Sequence, residues 1–167
     1  MTMYKSIFKF VISIIICESV GIIGSFFTFS SVSNWFPTLV KPWFSPPSWL
    51  FGPVWTILYF LMGLSLYIVW NKTETISKQK YKKQFFILFG IQLILNALWS
   101  FLFFGLKSPI SGLIDILFLD IAVITTIIYA NRVSKYAAVL LAPYMAWIIF
   151  ATLLNFEIAL LNNKIFY

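Results

Sequence analysis

Apolar residues along the chain fall into five long runs separated by short polar segments. Each run has about 20 or more mostly apolar positions, which is enough to cross the hydrocarbon core of a bilayer as a helix. Lipid offers no hydrogen-bond partner to an open backbone, so every run is predicted to be helical. The predicted spans are about 7–29, 48–70, 84–106, 110–130 and 137–161, and the longest connection is about 30–47. The pattern predicts an all-α integral membrane protein, a bundle of five transmembrane helices.

The composition supports this class. Hydrophobic residues make up 61% of the 167 positions and charged residues 10%, whereas a soluble domain has about 45–50% and about 25%. We therefore treat residues 1–167 as a single membrane domain. The chain has no histidine and one cysteine, Cys17. This removes the commonest metal ligand, the commonest general acid–base group and any intrachain disulfide, so we expect no metal site and no bound cofactor.

The basic residues predict an orientation. Nine of the 12 lie before or at the start of the first span, between spans two and three, or between spans four and five. Cytoplasmic loops carry the excess of Lys and Arg, so the N-terminus is predicted to be cytoplasmic and segment 30–47 to lie outside. Residue usage rich in Ile, Lys, Asn and Phe favours a bacterial source, hence the inner (cytoplasmic) membrane. Because this bias explains the net charge of +7, we expect no nucleic-acid partner.

The outer connection 30–47 is rich in large aromatic residues, including Trp35, Phe36, Trp43 and Phe44. Two interpretations are open: an aromatic belt at the membrane interface, or a loop folded over the bundle as a lid. Pro53, placed inside the second span, is predicted to remove a backbone hydrogen bond and bend that helix.

Three of the predicted spans carry a tryptophan on the same helical face as polar or small residues, at spacings of three or four. The faces are Phe51–Trp55–Tyr59, Gln92–Asn96–Trp99 and Trp147–Ala151–Asn155, with Leu154 beside the last. One hypothesis is a ligand pocket with flat apolar walls and a few hydrogen-bonding groups. The alternative is that the amides only hold helices together, each contributing about 0.6–2 kcal/mol.

Four acidic residues fall within the predicted spans: Glu18, Asp115, Asp120 and Glu157. They indicate either a proton or cation path or neutral, hydrogen-bonded structural groups, and we favour the structural role. In the first span, two pairs of small residues four apart indicate either close packing inside the bundle or a dimer contact. These are Gly21 with Ser25, and Gly24 with Thr28.

The segment KPWFSPPSWLFGPVWTILYFLMGLSLYIVW resembles the signature of the translocator protein family, also called tryptophan-rich sensory proteins or peripheral benzodiazepine receptors (TspO/MBR). QLILNALWSFLFFG and LLAPYMAWIIFATLLN continue the match in the expected order. The resemblance implies five tightly packed, usually dimeric helices. It also implies binding of porphyrins such as protoporphyrin IX and of isoquinoline- or benzodiazepine-type compounds. The implied ligand-contacting positions are Ser25, Phe51, Trp55, Asn96, Trp99, Trp147, Ala151 and Leu154.

The resemblance leaves the activity open between three alternatives. The first is a receptor or scavenger of metal-free porphyrin, with Lys41 or another outer-loop donor near the propionates. The second is an enzyme for light- and oxygen-dependent porphyrin breakdown, with Trp55 and Trp147 as candidate catalytic residues. The third is a tetrapyrrole or lipid transporter.

The chain departs from the family pattern at two places. Phe44 stands where the loop usually has a tryptophan. Animal members bind cholesterol, but here Phe156 occupies the tyrosine position of the cholesterol motif and Lys164 lies too far along the chain. Cholesterol binding is therefore not expected.

Overall fold

The computed structural model describes residues 3–73 and 75–162, leaving out the side chain of Ser77. Over these ranges the backbone is helical, without strands, and five helices are long and apolar enough to cross a membrane. They are α1 (Met3–Asn34), α2 (Phe51–Asn71), α3 (Ile76–Ser100), α4 (Pro109–Val133) and α5 (Lys135–Asn162). The predicted fold class is confirmed.

The five helices form a ring in which neighbours in space are not always neighbours in sequence. α1 packs against α2, α2 against α5, α5 against α4, α4 against α3, and α3 against α1. Consecutive α2 and α3 are therefore separated in the ring, and α5 lies beside α2. This order points the inner faces of α2, α3 and α5 at one another.

Four helices begin before their predicted apolar spans, most clearly α1 and α3, whereas α2 begins three residues inside its predicted span. α3 begins at Ile76, so lysines assigned to a loop lie on its first two turns. Hydropathy detects the part of a helix that lies in lipid, whereas helical hydrogen bonds continue into water. At its other end α3 passes into a π-helical turn, Phe101–Gly105, whose Phe103 and Phe104 are buried.

The connection between α1 and α2 contains two short 3₁₀ turns, Phe36–Thr38 and Ser48–Leu50. α2 begins at Phe51, so Pro53 lies in its first turn. Amide groups of a first turn have no partner within the helix. The predicted loss of a helical hydrogen bond at Pro53 is therefore wrong, because α2 begins only two residues before it, after the 3₁₀ turn Ser48–Leu50. The predicted bend stays a prediction.

Glycines allow the helices around α1 to approach closely. A methyl group at Gly63 of α2 would lie 3.0 Å from the Ile14 Cα and 3.1 Å from the Ser13 carbonyl oxygen of α1. A methyl group at Gly21 would meet the Tyr59 ring at 2.6 Å, and one at Gly24 the Ser100 hydroxyl at 3.0 Å. Of the two roles open for the small residues of α1, these contacts favour close packing within the bundle.

We expect Gly63→Ala to destabilise the protein by about 1–3 kcal/mol, because the added methyl group would meet backbone atoms of α1 that cannot move independently. Thermal unfolding in detergent, followed by tryptophan fluorescence, measures this change.

Gly90→Ala is the matched control. Gly90 lies within α3, and a methyl group there would have no neighbour within 4 Å. Alanine favours a helix over glycine by about 1 kcal/mol, so this variant is expected to match or exceed the parent. Equal unfolding temperatures for the two variants would contradict the close contact.

Candidate functional site

The three predicted tryptophan faces meet inside the bundle. Trp55 of α2, Trp99 of α3 and Trp147 of α5 line one hollow of about 20 Å³. Its wall is completed by Phe36, Phe51, Phe103, Phe104, Ala151, Leu154, Asn155 and Ile158. Six of the eight predicted ligand-contacting residues line this hollow: Phe51, Trp55, Trp99, Trp147, Ala151 and Leu154. Its volume is comparable to one water molecule, so the hollow is closed to a larger ligand.

Aromatic contacts keep the hollow closed. Trp99 stacks on Phe103 with ring centroids 5.2 Å apart, and Phe51 meets Trp147 edge-on at 6.3 Å. The Trp99 indole N–H donates to Asn155 Oδ1 at 3.0 Å, and Asn155 Nδ2 donates to the Pro109 carbonyl at 2.7 Å. Asn155 therefore fixes the Trp99 ring and ties α3 and α5 to the start of α4.

A much larger space lies beside this hollow, where α1, α2 and α3 form a lateral cleft of about 440 Å³. Phe51, Trp55, Trp99 and Phe104 belong to both cavities and form the partition between them. The α1 wall of the cleft contains small or polar residues: Glu18, Gly21, Gly24, Ser25, Thr28 and Ser33. Ser25 lies on this wall, across the cleft from the partition. An apolar cavity of this volume with a few polar groups is typical of small-molecule sites.

Asn96 lines neither cavity. It is buried beneath them, where its side-chain oxygen accepts a short hydrogen bond from Tyr59 and its Nδ2 donates to the Tyr144 hydroxyl at 3.0 Å. The predicted contact residue therefore joins α2, α3 and α5 across the ring. Through Tyr59, it also supports the cleft wall against which Gly21 packs.

Gln92, four residues before Asn96 on α3, differs in its surroundings. Its side chain is 0% exposed, and neither amide atom has a hydrogen-bond partner among the described residues. The shared sequence face predicted similar roles for both amides. The structure separates them, because only Asn96 lies level with two tyrosine hydroxyls.

The outer connection folds against the top of the bundle. Phe36 is buried, and Phe44 packs on Phe150 with ring centroids 6.3 Å apart. The Asn162 amide exchanges two hydrogen bonds with the backbone of Val40, at 3.0 and 2.8 Å. Trp43 is 96% exposed. The lid interpretation fits Phe36 and Phe44, and the belt interpretation fits Trp43.

Lys41 is tied to the loop itself. Its ammonium group donates to the carbonyls of Phe36, Pro37 and Leu39 at 3.0–3.4 Å and lies 5.1 Å from the Phe36 ring centroid. These contacts occupy its three donors, so the structure favours a loop-stabilising role for Lys41 over the predicted propionate contact.

The four acidic residues of the predicted spans differ in their surroundings. Asp120 accepts a hydrogen bond from Thr152 at 2.9 Å between α4 and α5, while Asp115 is buried on α4. Glu157 is half-buried on α5. Glu18 lines the cleft, a position that the sequence pattern did not predict.

The five long apolar helices define a polytopic helical membrane protein, and the two cavities give it an aromatic site inside the bundle. The TspO/MBR family model matches residues 13–161, and the chain belongs to this family. The chain is 52% identical over 157 residues to the tryptophan-rich protein TspO of Archaeoglobus fulgidus, covering 94% of this chain and 99% of that protein. It is 45% identical over 164 residues to the Chlorobaculum tepidum protein of the same name, covering 96% and 99%.

A more distant relative is the human translocator protein, which is 37% identical over 134 residues, covering 80% of this chain and 78% of that protein. The family predicted from the sequence motifs is confirmed.

We expect Asn96→Leu to destabilise the bundle by about 1–3 kcal/mol, since it leaves two buried tyrosine hydroxyls without their partner. Gln92→Leu is the matched control on the same helix, and it removes a buried amide that has no protein partner. It is expected to leave stability unchanged or increased. Chemical unfolding in mixed micelles measures both variants, and equal losses would refute the distinction between the two amides.

Proposed function

We propose that this protein is a membrane receptor or scavenger for flat hydrophobic ligands, with metal-free protoporphyrin IX as its principal ligand. Compounds of the isoquinoline and benzodiazepine type would use the same site. The observation that carries the proposal is the lateral cleft of about 440 Å³, walled by Phe51, Trp55 and Trp99. Indole and phenyl faces offer stacking area to a planar macrocycle.

The shape of the cleft supports a defined pose. Ser33 and Ser48 line the end of the cleft nearest the outer connection, and both are exposed. A porphyrin with its propionates at this end would keep the two charges in water while its ring enters the aromatic part. The chain lacks histidine and so offers no imidazole as an axial ligand for haem iron. This favours the metal-free ring.

The alternative activity is light- and oxygen-dependent breakdown of the bound porphyrin. Trp55 lines the cleft and stacks on Tyr59 at 5.4 Å, whereas Trp147 lines the closed hollow behind the partition. A reaction in the cleft would therefore involve Trp55 before Trp147. Transport is the third alternative, and vesicle accumulation of a tetrapyrrole would support it.

We expect Trp55→Phe to weaken protoporphyrin IX binding by about two- to tenfold, because it removes part of a stacking surface inside the cleft. Trp147→Phe is the matched control, since it makes the same change behind the partition, and its affinity is expected to stay near that of the parent. Absorbance titration in the dark measures both. Equal weakening by the two variants would place the ligand in the inner hollow instead.

The same samples under light separate receptor from enzyme. A stable porphyrin band in the parent supports the receptor. Light-dependent loss that disappears in Trp55→Phe at saturating ligand supports the enzyme. Absence of saturable binding in the dark would overturn the porphyrin proposal while leaving the family unaffected.

We also propose a homodimer, as the family resemblance implies. We further propose that the protein lies in the inner (cytoplasmic) membrane of a bacterial cell, with its N-terminus in the cytoplasm. The lysines on the first turns of α3 support this orientation: Lys78, Lys80 and Lys83 are exposed or half-exposed at the end of the bundle opposite the aromatic connection. Arg132 and Lys135 lie at the same end, as expected for a cytoplasmic face.

Single-cysteine labelling tests the orientation. Cys17 is buried and is first replaced by serine. In that background, Trp43→Cys is expected to react with a membrane-impermeant maleimide in spheroplasts, whose inner membrane is intact and accessible from outside. Lys80→Cys is expected to react only after the inner membrane is opened. The reverse pattern would invert the proposed topology.

A further inference from the structure

Glu18 is an acidic, half-buried residue at the end of the lateral cleft that lies farthest from the outer connection. It lies midway along α1, and the cleft follows this helix from Glu18 to Ser33. Fifteen residues of helix at about 1.5 Å each give a length of about 22 Å. Glu18 therefore lies deep in the membrane, while the other end of the cleft lies near the outer connection.

Within residues 3–73 and 75–162, the Glu18 carboxyl has no hydrogen-bond or ion-pair partner. No Lys or Arg side chain among these residues lines the cleft. The nearest phenol is already used, because the Tyr59 hydroxyl donates to Asn96. An ionisable side chain at this depth marks a functional site by default, and an ionised carboxyl in such surroundings requires a charge partner.

Three hydroxyl groups along the cleft are also committed. Ser25, Thr28 and Thr56 donate to the carbonyls of Ile22, Gly24 and Gly52 in their own helices, at 2.7–3.0 Å. Each hydroxyl has a single hydrogen, so these three groups present lone pairs alone to a ligand. Together with Glu18, they place hydrogen-bond acceptors on both the α1 and the α2 side of the cleft.

Aromatic rings lie beside the carboxyl. The Tyr59 ring lies 2.6 Å from the position of a methyl group on Gly21, less than one helical turn from Glu18, and Trp55 stacks on Tyr59. Aromatic faces attract alkylammonium groups, most strongly where water is excluded. A carboxylate next to such a stack is therefore suited to an amine.

We propose that the deep end of the cleft is a binding site for the ammonium group of a cationic amphiphile, with Glu18 as its counter-ion. The apolar body of the ligand lies along Trp55 and Phe51, and its amine N–H groups donate to Glu18. The site shares the cleft with the proposed porphyrin site but accepts ligands of opposite charge. Exposed Ile22 and Thr56 border its lateral side, so such a ligand would enter from the lipid.

The test compares two dansyl probes that differ by one amine. Dansylcadaverine carries a five-carbon chain ending in an ammonium group, and N-pentyl dansylamide has the same chain without it. Energy transfer from tryptophan reports binding to the protein in phosphatidylcholine nanodiscs, with empty nanodiscs as the measure of partition. The parent is expected to bind the ammonium probe about tenfold more tightly.

Glu18→Gln keeps the shape of the side chain and removes its charge, so it is expected to bind both probes equally. Glu157→Gln is the matched control, because it removes a half-buried carboxyl on α5 outside the cleft, and it should keep the preference. An unchanged affinity of Glu18→Gln for the neutral probe would show an intact cleft. Equal affinities in the parent, or a preference that survives Glu18→Gln, would overturn the proposal.

A second measurement needs no variant. A hydrophobic carbodiimide joins the bound probe's amine to a neighbouring carboxyl as an amide and takes up the water released. Mass spectrometry is expected to find the label on Glu18, and a label on Asp115 or Glu157 instead would contradict the site. Protoporphyrin IX carries anionic propionates, so Glu18→Gln should bind it as tightly as the parent or more tightly. Failure of the amine site and failure of the porphyrin site are thus distinguishable.

Discussion

The hydrogen bonds from Tyr59 to Asn96 and from Asn96 to Tyr144 hold together the three helices that build the site. In a bilayer, lipid chains are as apolar as leucine, so burial of apolar side chains contributes little to helix association. Close packing and buried polar links must supply the difference. Asn96 is placed where it can join α2, α3 and α5 at once, although α2 and α3 are not neighbours in the ring. The cavities depend on this spacing.

Close approach at glycines and open space at the aromatic rings are two results of the same arrangement. Gly63 brings α1 against α2 at Ile14 and Ser13, and Gly21 receives the Tyr59 ring. Further along α1, Ser25 and Thr28 are too small to fill the gap to Trp55 and Trp99. The helices meet at one level and separate at the next, so the lateral cleft opens within an otherwise tightly packed bundle.

The partition of Phe51, Trp55, Trp99 and Phe104 gives the site two compartments of very different size. Asn155 holds Trp99 by a hydrogen bond, and Phe103 stacks on its ring. Movement of Phe51 or Trp55 would join the inner hollow to the cleft, whereas movement of Trp99 would break its hydrogen bond to Asn155. The partition is therefore more rigid on its α3 side, at Trp99, than on its α2 side, at Phe51 and Trp55.

The sequence by itself determined the membrane class, five helices and the family, because hydropathy and motif order do not depend on how helices pack. Spacings of three and four also placed Phe51, Trp55, Trp99, Trp147, Ala151 and Leu154 on common faces, and six of the eight predicted contacts meet at one hollow. The positions of the helix ends and of Pro53 were less predictable. Helical hydrogen bonding extends past the apolar span, and a 3₁₀ turn precedes α2.

Only the tertiary structure decided what those faces do. Gln92 and Asn96 share a face in the sequence, but the ring order brings tyrosine hydroxyls to Asn96 and leaves Gln92 without them. In the sequence Lys41 has no evident partner, whereas in the folded loop its ammonium group donates to backbone carbonyls. In the sequence Glu18 is an isolated acidic residue, whereas in the structure it lies at the end of a cleft that α1 forms with α2 and α3. Spacing along one helix determines a face, whereas the neighbour that meets this face depends on the packing of the whole bundle.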